Sequence, residues 1–249
     1  VVAISLPGFG FSGHPTDRGY SPEKIAGIIA KLMARLGYTR YGVQGGDWGG
    51  IISRIVALND ASHVAGLHLN FCIAGAPAGV QNPLDGVPEA EVKLMNETNA
   101  RMENERAYQQ IQGTKPQTLA YALTDSPLGL AAWILEKFHR WSDCDGNPEN
   151  VFTKDEMLAD ISLYWFTGTI GPSFWPYYAR MHGPWPIPDG GAITVDVGSL
   201  NLVDCAVFKN NSFFRGGGIR VFLGSAKIDG CASPGRFRAR NYSEDEQVP

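Results

Sequence analysis

The run Gly45-Gly46-Asp47-Trp48-Gly49-Gly50 sets one carboxylate among four glycines. It stands between a short apolar stretch, Tyr41–Gln44, and a helical pattern beginning near Ile51. Small residues on both sides of a central residue permit a tight, strained strand-to-helix turn. Such a turn lifts its central side chain to the carboxyl edge of a parallel sheet, where open α/β sheets build their sites. A carboxylate there, stabilised by the following helix N-terminus, is equipped to act as a covalent nucleophile. The alternative is an ordinary glycine-rich loop in which Asp47 is only a helix N-cap.

The elements that would position Asp47 follow from pattern. Val1–Leu6 is a continuous apolar run with β-branched residues, as for a strand buried on both faces. Ser21 and Pro22 open a helix whose apolar positions are Ile25, Ile28, Ile29, Leu32 and Leu36, and Gly37 is placed to end it. With strands at Tyr41–Gln44 and Val64–Phe71 and a helix over Ile51–Leu58, the order is strand, helix, strand, helix, strand. That order specifies an α/β fold with a mostly parallel sheet.

Beyond Phe71 the texture changes. Polar and amphipathic helical stretches cover Glu89–Gln112, Thr118–Ala132 and Met157–Gly168, broken at Asp125-Ser126-Pro127 and Asp145-Gly146-Asn147-Pro148. Residues 1–81 and 187–195 are therefore assigned to an α/β core, with Ala192–Val195 as a return strand and 82–186 as an inserted, mainly helical cap. The tail 196–249 has little sustained periodicity and is expected to be atypical or disordered, with Ile219–Leu223 as its strand candidate.

Composition limits the function classes. In 249 residues, 44% are apolar and 18% charged, with a net charge of −4. The charged share is below the usual figure of about 25%, and with 11% aromatic residues it argues against a disordered chain. No global basic field points to nucleic acid. No apolar run reaches the roughly 18 residues of a membrane span. Cys72, Cys144, Cys205 and Cys231 are widely spaced and have no metal-site spacing.

Pro7-Gly8-Phe9-Gly10-Phe11-Ser12 followed by Gly45-Gly46-Asp47-Trp48-Gly49-Gly50 resembles the epoxide hydrolases of the α/β-hydrolase superfamily. Three further blocks resemble its microsomal and juvenile-hormone branch. They are Tyr108–Pro116 (YQQIQGTKP), Ala122–Pro127 (ALTDSP) and Tyr164–Ile170 (YWFTGTI). The resemblance runs in order from Val1 to about Val195. It implies an α/β-hydrolase core with a helical cap, and an activity that opens epoxides to vicinal diols through an ester on Asp47. It gives Tyr108 and Tyr177 the role of donors to the epoxide oxygen, with Tyr178 as the fallback for the second. The Trp48 backbone N–H becomes an oxyanion donor, and Trp165 and Trp175 become pocket walls. Phenol donors facing a carboxylate suit this chemistry, because the opening ring leaves a poor alkoxide. Together with Trp133, Phe138, Phe166 and Phe174, the two tryptophans suggest a bulky apolar epoxide.

The resemblance implies no cofactor, no metal and no nucleic-acid partner. It leaves cytoplasm and endoplasmic-reticulum membrane as compartments, and it implies a histidine-glycine-proline loop preceding Val1. It also requires a late histidine, paired with an acid, to activate water. His14, His63, His68, His139 and His182 do not stand in the glycine-glycine-histidine context. Asp204 and Asp229 are the acid candidates. Ester hydrolysis is therefore expected to be impaired. Two other readings stay open: a haloalkane dehalogenase, which also uses an aspartate followed by tryptophan, and a non-enzymatic form.

Overall fold

The computed structural model describes residues 1–17, 19–70, 84 and 87–183 in full, and five strands between 193 and 239 as backbone. The chain divides into two compact units, one of residues 1–28 with 105–185 and one of residues 29–104 with 186–249.

In the second unit, β1 (Tyr41–Gly45) and β2 (Val64–Leu69) run parallel, with partners from Gly42↔Gly66 to Gly45↔Leu69. They are joined through α2 (Trp48–Asn59), which packs on both. Eight residues of α2 are buried, including Ile51, Ile52, Ile55 and Val56, so this helix is enclosed on most sides. Parallel strands joined through a helix are what the strand and helix periodicities specify. The remaining strands also pair in parallel: β3 (Ile193–Val195) with β5 (Ile219–Val221), β5 with β7 (Arg238–Ala239), and β4 (Gly198–Val203) with β6 (Gly224–Asp229). The remainder of the tail, including Asp204, lies outside the described residues, as does residue 71 of the expected third strand.

The run Val1–Leu6 departs from expectation. It forms no strand, and residues 1–4 are exposed. β-branched residues favour a pleated, half-buried surface, but a strand exists only through its ladder, and residues 1–6 take part in none. The chain then turns at Pro7–Ser12, where Phe9 N–H donates to the Leu6 carbonyl at 2.8 Å and Ser12 Oγ donates to the Ser5 carbonyl at 2.6 Å. Helix α1 (Pro22–Arg35) begins at the expected proline, with Ile25 and Ala26 buried. Gly37 follows it at φ 81°, but Ile28 and Leu36 of the expected apolar stripe are exposed.

Helices α3 (Glu89–Glu103), α4 (Ala107–Thr114), α5 (Pro116–Asp125), α6 (Pro127–Trp141), α7 (Lys154–Thr167) and α8 (Trp175–His182) occupy the stretch where helices were expected. Their ends follow local chemistry. Ser126 caps α6 by accepting the Gly129 N–H at 3.0 Å, and Pro127 occupies its first turn. Thr153 and Glu156 form a reciprocal capping box on α7, which Gly168 ends in the left-handed conformation. Leu123, Leu130, Ile161, Ile170 and Phe174 form the buried cluster of the first unit, with Leu119, Trp133, Ile134 and Trp165 against it. Among the described residues, no helix is long and apolar enough to cross a membrane.

Candidate active site

Asp47 caps α2 from the end of β1, with φ 49° and ψ −124°. A non-glycine residue in this region is strained by about 1–3 kcal/mol and persists only where its surroundings impose it. Here the glycines impose it. A Cβ on Gly45 would stand 2.2 Å from the Gly49 carbonyl oxygen, and one on Gly46 would stand 2.3 Å from Asn70 Oδ1. Backbone closes on Gly45, so the turn requires glycine there, whereas a side chain at position 46 would require Asn70 to move. The helix begins at Trp48, three residues earlier than the pattern at Ile51 suggests, because the Asp47 backbone carbonyl accepts the Gly50 N–H at 3.0 Å and the Ile51 N–H at 3.3 Å, while its carboxylate accepts the Trp48 N–H at 2.6 Å. The N-cap and the strained-turn descriptions of Asp47 thus apply to the same residue. The Trp48 N–H points at a carboxylate oxygen, the position where an oxyanion donor has to stand.

The first unit contains a cavity of about 590 Å³, within the usual size of small-molecule sites. Phe9, from the Pro7–Ser12 turn, forms one part of its wall. Helix α6 contributes Trp133, Ile134, Lys137, Phe138 and Trp141, at the i, i+3, i+4 spacing of one helical face. Helix α7 contributes Asp160, Leu163 and Tyr164 by the same geometry. Tyr108 and Tyr177 both line this cavity, although 69 positions separate them, and their rings meet edge-on with centroids 5.8 Å apart. The Tyr108 phenol oxygen accepts the Gln109 side-chain amide at 2.9 Å.

Other expected residues stand elsewhere. Trp165 does not line this cavity: it follows Tyr164 on α7, and a step of one residue rotates it onto the apolar cluster. Trp175 does not line it either, and meets Tyr20 edge-on at 6.4 Å. Phe166 is exposed. Tyr178, the fallback donor, stacks on His182 at 4.0 Å and is also absent from the wall. Trp133, Phe138 and Phe174 are wall residues as their aromatic character suggests.

Sequence reasoning missed a polar knot beside Tyr108. Glu105 is buried and accepts Arg140 Nε at 3.0 Å and Trp141 Nε1 at 3.1 Å, with Lys137 Nζ at 3.5 Å. The Arg140 hydrogen bond above all, then the Trp141 hydrogen bond and the Lys137 charge, holds its carboxyl below the usual glutamate range against the opposing effect of burial. The i, i+3, i+4 spacing of Lys137, Arg140 and Trp141 was the available signal.

Among the described residues, no group of three or more His, Cys, Asp or Glu has a metal-site arrangement. His63 Nδ1 lies 2.6 Å from Asp60 Oδ1, a pairing that could orient an imidazole. It sits past the C-terminus of α2, about 18 Å along the helix axis from Asp47 at its N-terminus. Asp60 also accepts the Tyr41 hydroxyl, and the hydrogen bonds from Tyr41 and His63 hold its carboxyl below the usual aspartate range. Burial, reinforced by Asp60, pushes the Tyr41 phenol up to about 12. His182 Nδ1 is engaged with the Tyr178 carbonyl at 2.9 Å, and His14 Nε2 stands 3.2 Å from the Thr167 carbonyl.

Residues 1–71 match the family model of the alpha/beta hydrolase fold. Over 193 residues the chain is 40% identical to epoxide hydrolase 1 of Sus scrofa, covering 70% of this chain and 42% of that protein. It is 37% identical over 186 residues to the juvenile hormone epoxide hydrolase of Bombyx mori, covering 68% of this chain and 40% of the relative. The crystal structure of the Bombyx mori enzyme superposes with a TM-score of 0.68 at 28% identity, over 90% of this chain and 57% of that one. The Aspergillus niger epoxide hydrolase structure superposes with a TM-score of 0.61 at 25% identity, over 90% and 56%. The chain thus spans less than half the length of these two sequence relatives.

Proposed function

We propose that this chain, which belongs to the α/β-hydrolase superfamily and whose relatives there are epoxide hydrolases, opens epoxides by forming an ester on Asp47. The observation that carries the reading is the strained, glycine-enclosed turn that holds one carboxylate at the start of α2. In the first step a carboxylate oxygen of Asp47 attacks a ring carbon. The ester C–O bond forms as the ring C–O bond breaks, and the ring oxygen leaves as an alkoxide that takes a proton from Tyr108 or Tyr177. In the second step water adds to the ester carbonyl and gives up a proton that restores the tyrosine, while the Trp48 N–H stabilises the oxyanion. Collapse breaks the ester C–O bond, and the remaining acid proton passes to the departing alkoxide, releasing the diol and the Asp47 carboxylate.

The paired tyrosines on one cavity wall support the epoxide over the haloalkane reading, because a departing halide needs no proton. The aromatic wall and volume support a bulky apolar epoxide. The division into an α/β core of 1–81 and 187–195 and a helical cap of 82–186 belongs to the same proposal. The second step is the slow one in this chain. His14, His63 and His182 are engaged elsewhere, and no histidine stands in the family's late context. A missing general base costs about 10²–10⁴-fold.

The test is product counting with paired substrates, an aryl epoxide and an aryl-alkyl bromide of the same skeleton. The expected result is up to one equivalent of epoxide consumed, little diol, and no bromide. Bromide release would transfer the reading to a dehalogenase. Many equivalents of diol per chain would refute the slow second step.

A further inference from the structure

Glu105 takes no part in the chemistry proposed above, yet it is built into the cavity's support. Only 8% of its surface is exposed, in the short turn Asn104–Arg106 that leads into α4. Its three cationic or N–H partners, Lys137, Arg140 and Trp141, all come from the last turns of α6. Two of them also touch Tyr108. The Trp141 ring meets the Tyr108 ring edge-on at 5.2 Å, and the Lys137 ammonium stands 5.2 Å from the Tyr108 ring centre and 5.1 Å from that of Trp141. Lys137 also pairs with Glu136 at 2.6 Å. Tyr108 in turn meets Tyr177 at 5.8 Å.

A buried carboxylate with its counter-charges is a poor device for stability, since a well-packed apolar side chain of the same volume does as well or better. An apolar residue could not hold an indole N–H and an ammonium in fixed directions. With both oxygens of Glu105 occupied, the indole cannot rotate about its Cβ–Cγ bond without losing its acceptor. The face that Tyr108 leans on is therefore fixed.

We propose that Glu105 is a positioning residue for Tyr108: by anchoring Trp141 and Lys137 against the phenol ring, it sets the direction in which the Tyr108 hydroxyl meets the oxygen of a bound epoxide. The inference rests on the epoxide-opening reading for its consequence and on the packing of the first unit for its content. A misdirected proton donor lowers the rate of ring opening, while binding in the apolar cavity is largely unaffected.

Two measurements on the full chain test it. In the first, tyrosines are replaced by 3-fluorotyrosine, and the Tyr108 fluorine resonance is identified by its loss in Tyr108→Phe. The wild-type resonance is expected to be shifted from the free amino acid by the neighbouring rings. Glu105→Ala should move it toward the free value, Glu105→Gln should move it less, and Trp141→Phe, which keeps a ring but deletes the N–H given to Glu105, should also move it. In the second, the rate of ester formation on Asp47 is followed against aryl-epoxide concentration. Glu105→Ala should lower the maximal rate about 10²-fold, with half-saturation changed less than about twofold, and Glu105→Gln should recover part of the loss.

An unmoved Tyr108 resonance in Glu105→Ala overturns the proposal, as does a wild-type resonance already at the free value. If Glu105→Ala fails to fold, Trp141→Phe decides by the same criterion. A wild-type chain that forms no ester removes the reading of Asp47, and the fluorine resonance then still decides the role of Glu105 by itself.

Discussion

The turn at Asp47 and the cavity beside Tyr108 are built on opposite principles. At Asp47 the backbone does the positioning: four glycines, one residue at φ 49°, and a helix that starts on the next N–H. No bulky neighbour has to be in the right place. At Tyr108 the side chains do the positioning. An aromatic contact to Trp141, a second to Tyr177 and a buried carboxylate behind them fix a ring that the helix backbone alone leaves free to rotate. A backbone-built site is tolerant of substitutions around it and intolerant of a Cβ where a glycine meets backbone: Gly45 stands against the Gly49 carbonyl, whereas a Cβ on Gly49 would meet nothing within 4 Å. A packing-built site is the reverse, spreading its sensitivity over residues far apart in sequence.

Chemistry and packing separate most widely at the tyrosines. Tyr108→Phe and Tyr177→Phe keep the edge-on rings and remove only the hydroxyls. Either change should lower the rate of ester formation about 10²-fold or more, measured by quenched-flow mass spectrometry, while the urea midpoint stays nearly constant. A large loss of stability with little loss of rate would make these tyrosines packing residues.

Next in size is a pair of stability changes read by amide exchange. Leu130→Ala, at a fully buried position of the apolar cluster, should cost about 3 kcal/mol and lower protection across α5, α6 and α7. Gly45→Ala should cost about 2 kcal/mol by forcing a Cβ against the Gly49 carbonyl, and lower protection in β1 and α2. If each substitution lowers protection uniformly across both units, the two regions do not differ in the way described.

This difference also explains what could be read from sequence. The glycines around Asp47, Ser21-Pro22, Ser126-Pro127 and the Gly168 stop are local signals, and they locate β1, α1, α6 and the end of α7 because the physics is local. The strand at Val1–Leu6 was misread because apolar character does not supply a partner. Tyr108 and Tyr177 could be named only through family resemblance, since nothing in their spacing brings residues from α4 and α8 to one wall. Trp165 and Trp175 look as suitable for the wall as Trp141 does. Only the rotation of each helix about its axis sends Trp141 to this cavity and the other two elsewhere. Of the Glu105 knot, the spacing of Lys137, Arg140 and Trp141 shows a shared helical face, but Glu105 itself, a polar residue in a polar stretch, reads as surface until its partners are seen.

The smallest effects are those of pH. Glu105, Asp60 and Glu156 all have carboxyls below their usual range, held there chiefly by hydrogen bonds from Arg140, Tyr41 and the Thr153 backbone respectively. A carboxyl depressed in the folded state contributes stability that is fully present above its unfolded pKa and is lost as pH falls through its folded one. Tyr41 acts in the opposite sense. Its phenol ionises near 10.0 when unfolded and about 12 when folded, so its contribution is present below 10.0 and fades as pH rises toward 12. Thermal unfolding followed across pH should show both limbs. Glu105→Gln should flatten the acid limb, and Tyr41→Phe should flatten the alkaline one.

Covalent capture on Asp47 is tested most directly by intact-mass analysis of the folded chain after incubation with excess aryl epoxide, followed by peptide mapping. One stoichiometric adduct, mapped to Asp47 and absent in Asp47→Ala, is the predicted result. A folded chain that gains no mass, or one whose adduct persists in Asp47→Ala, would contradict the account.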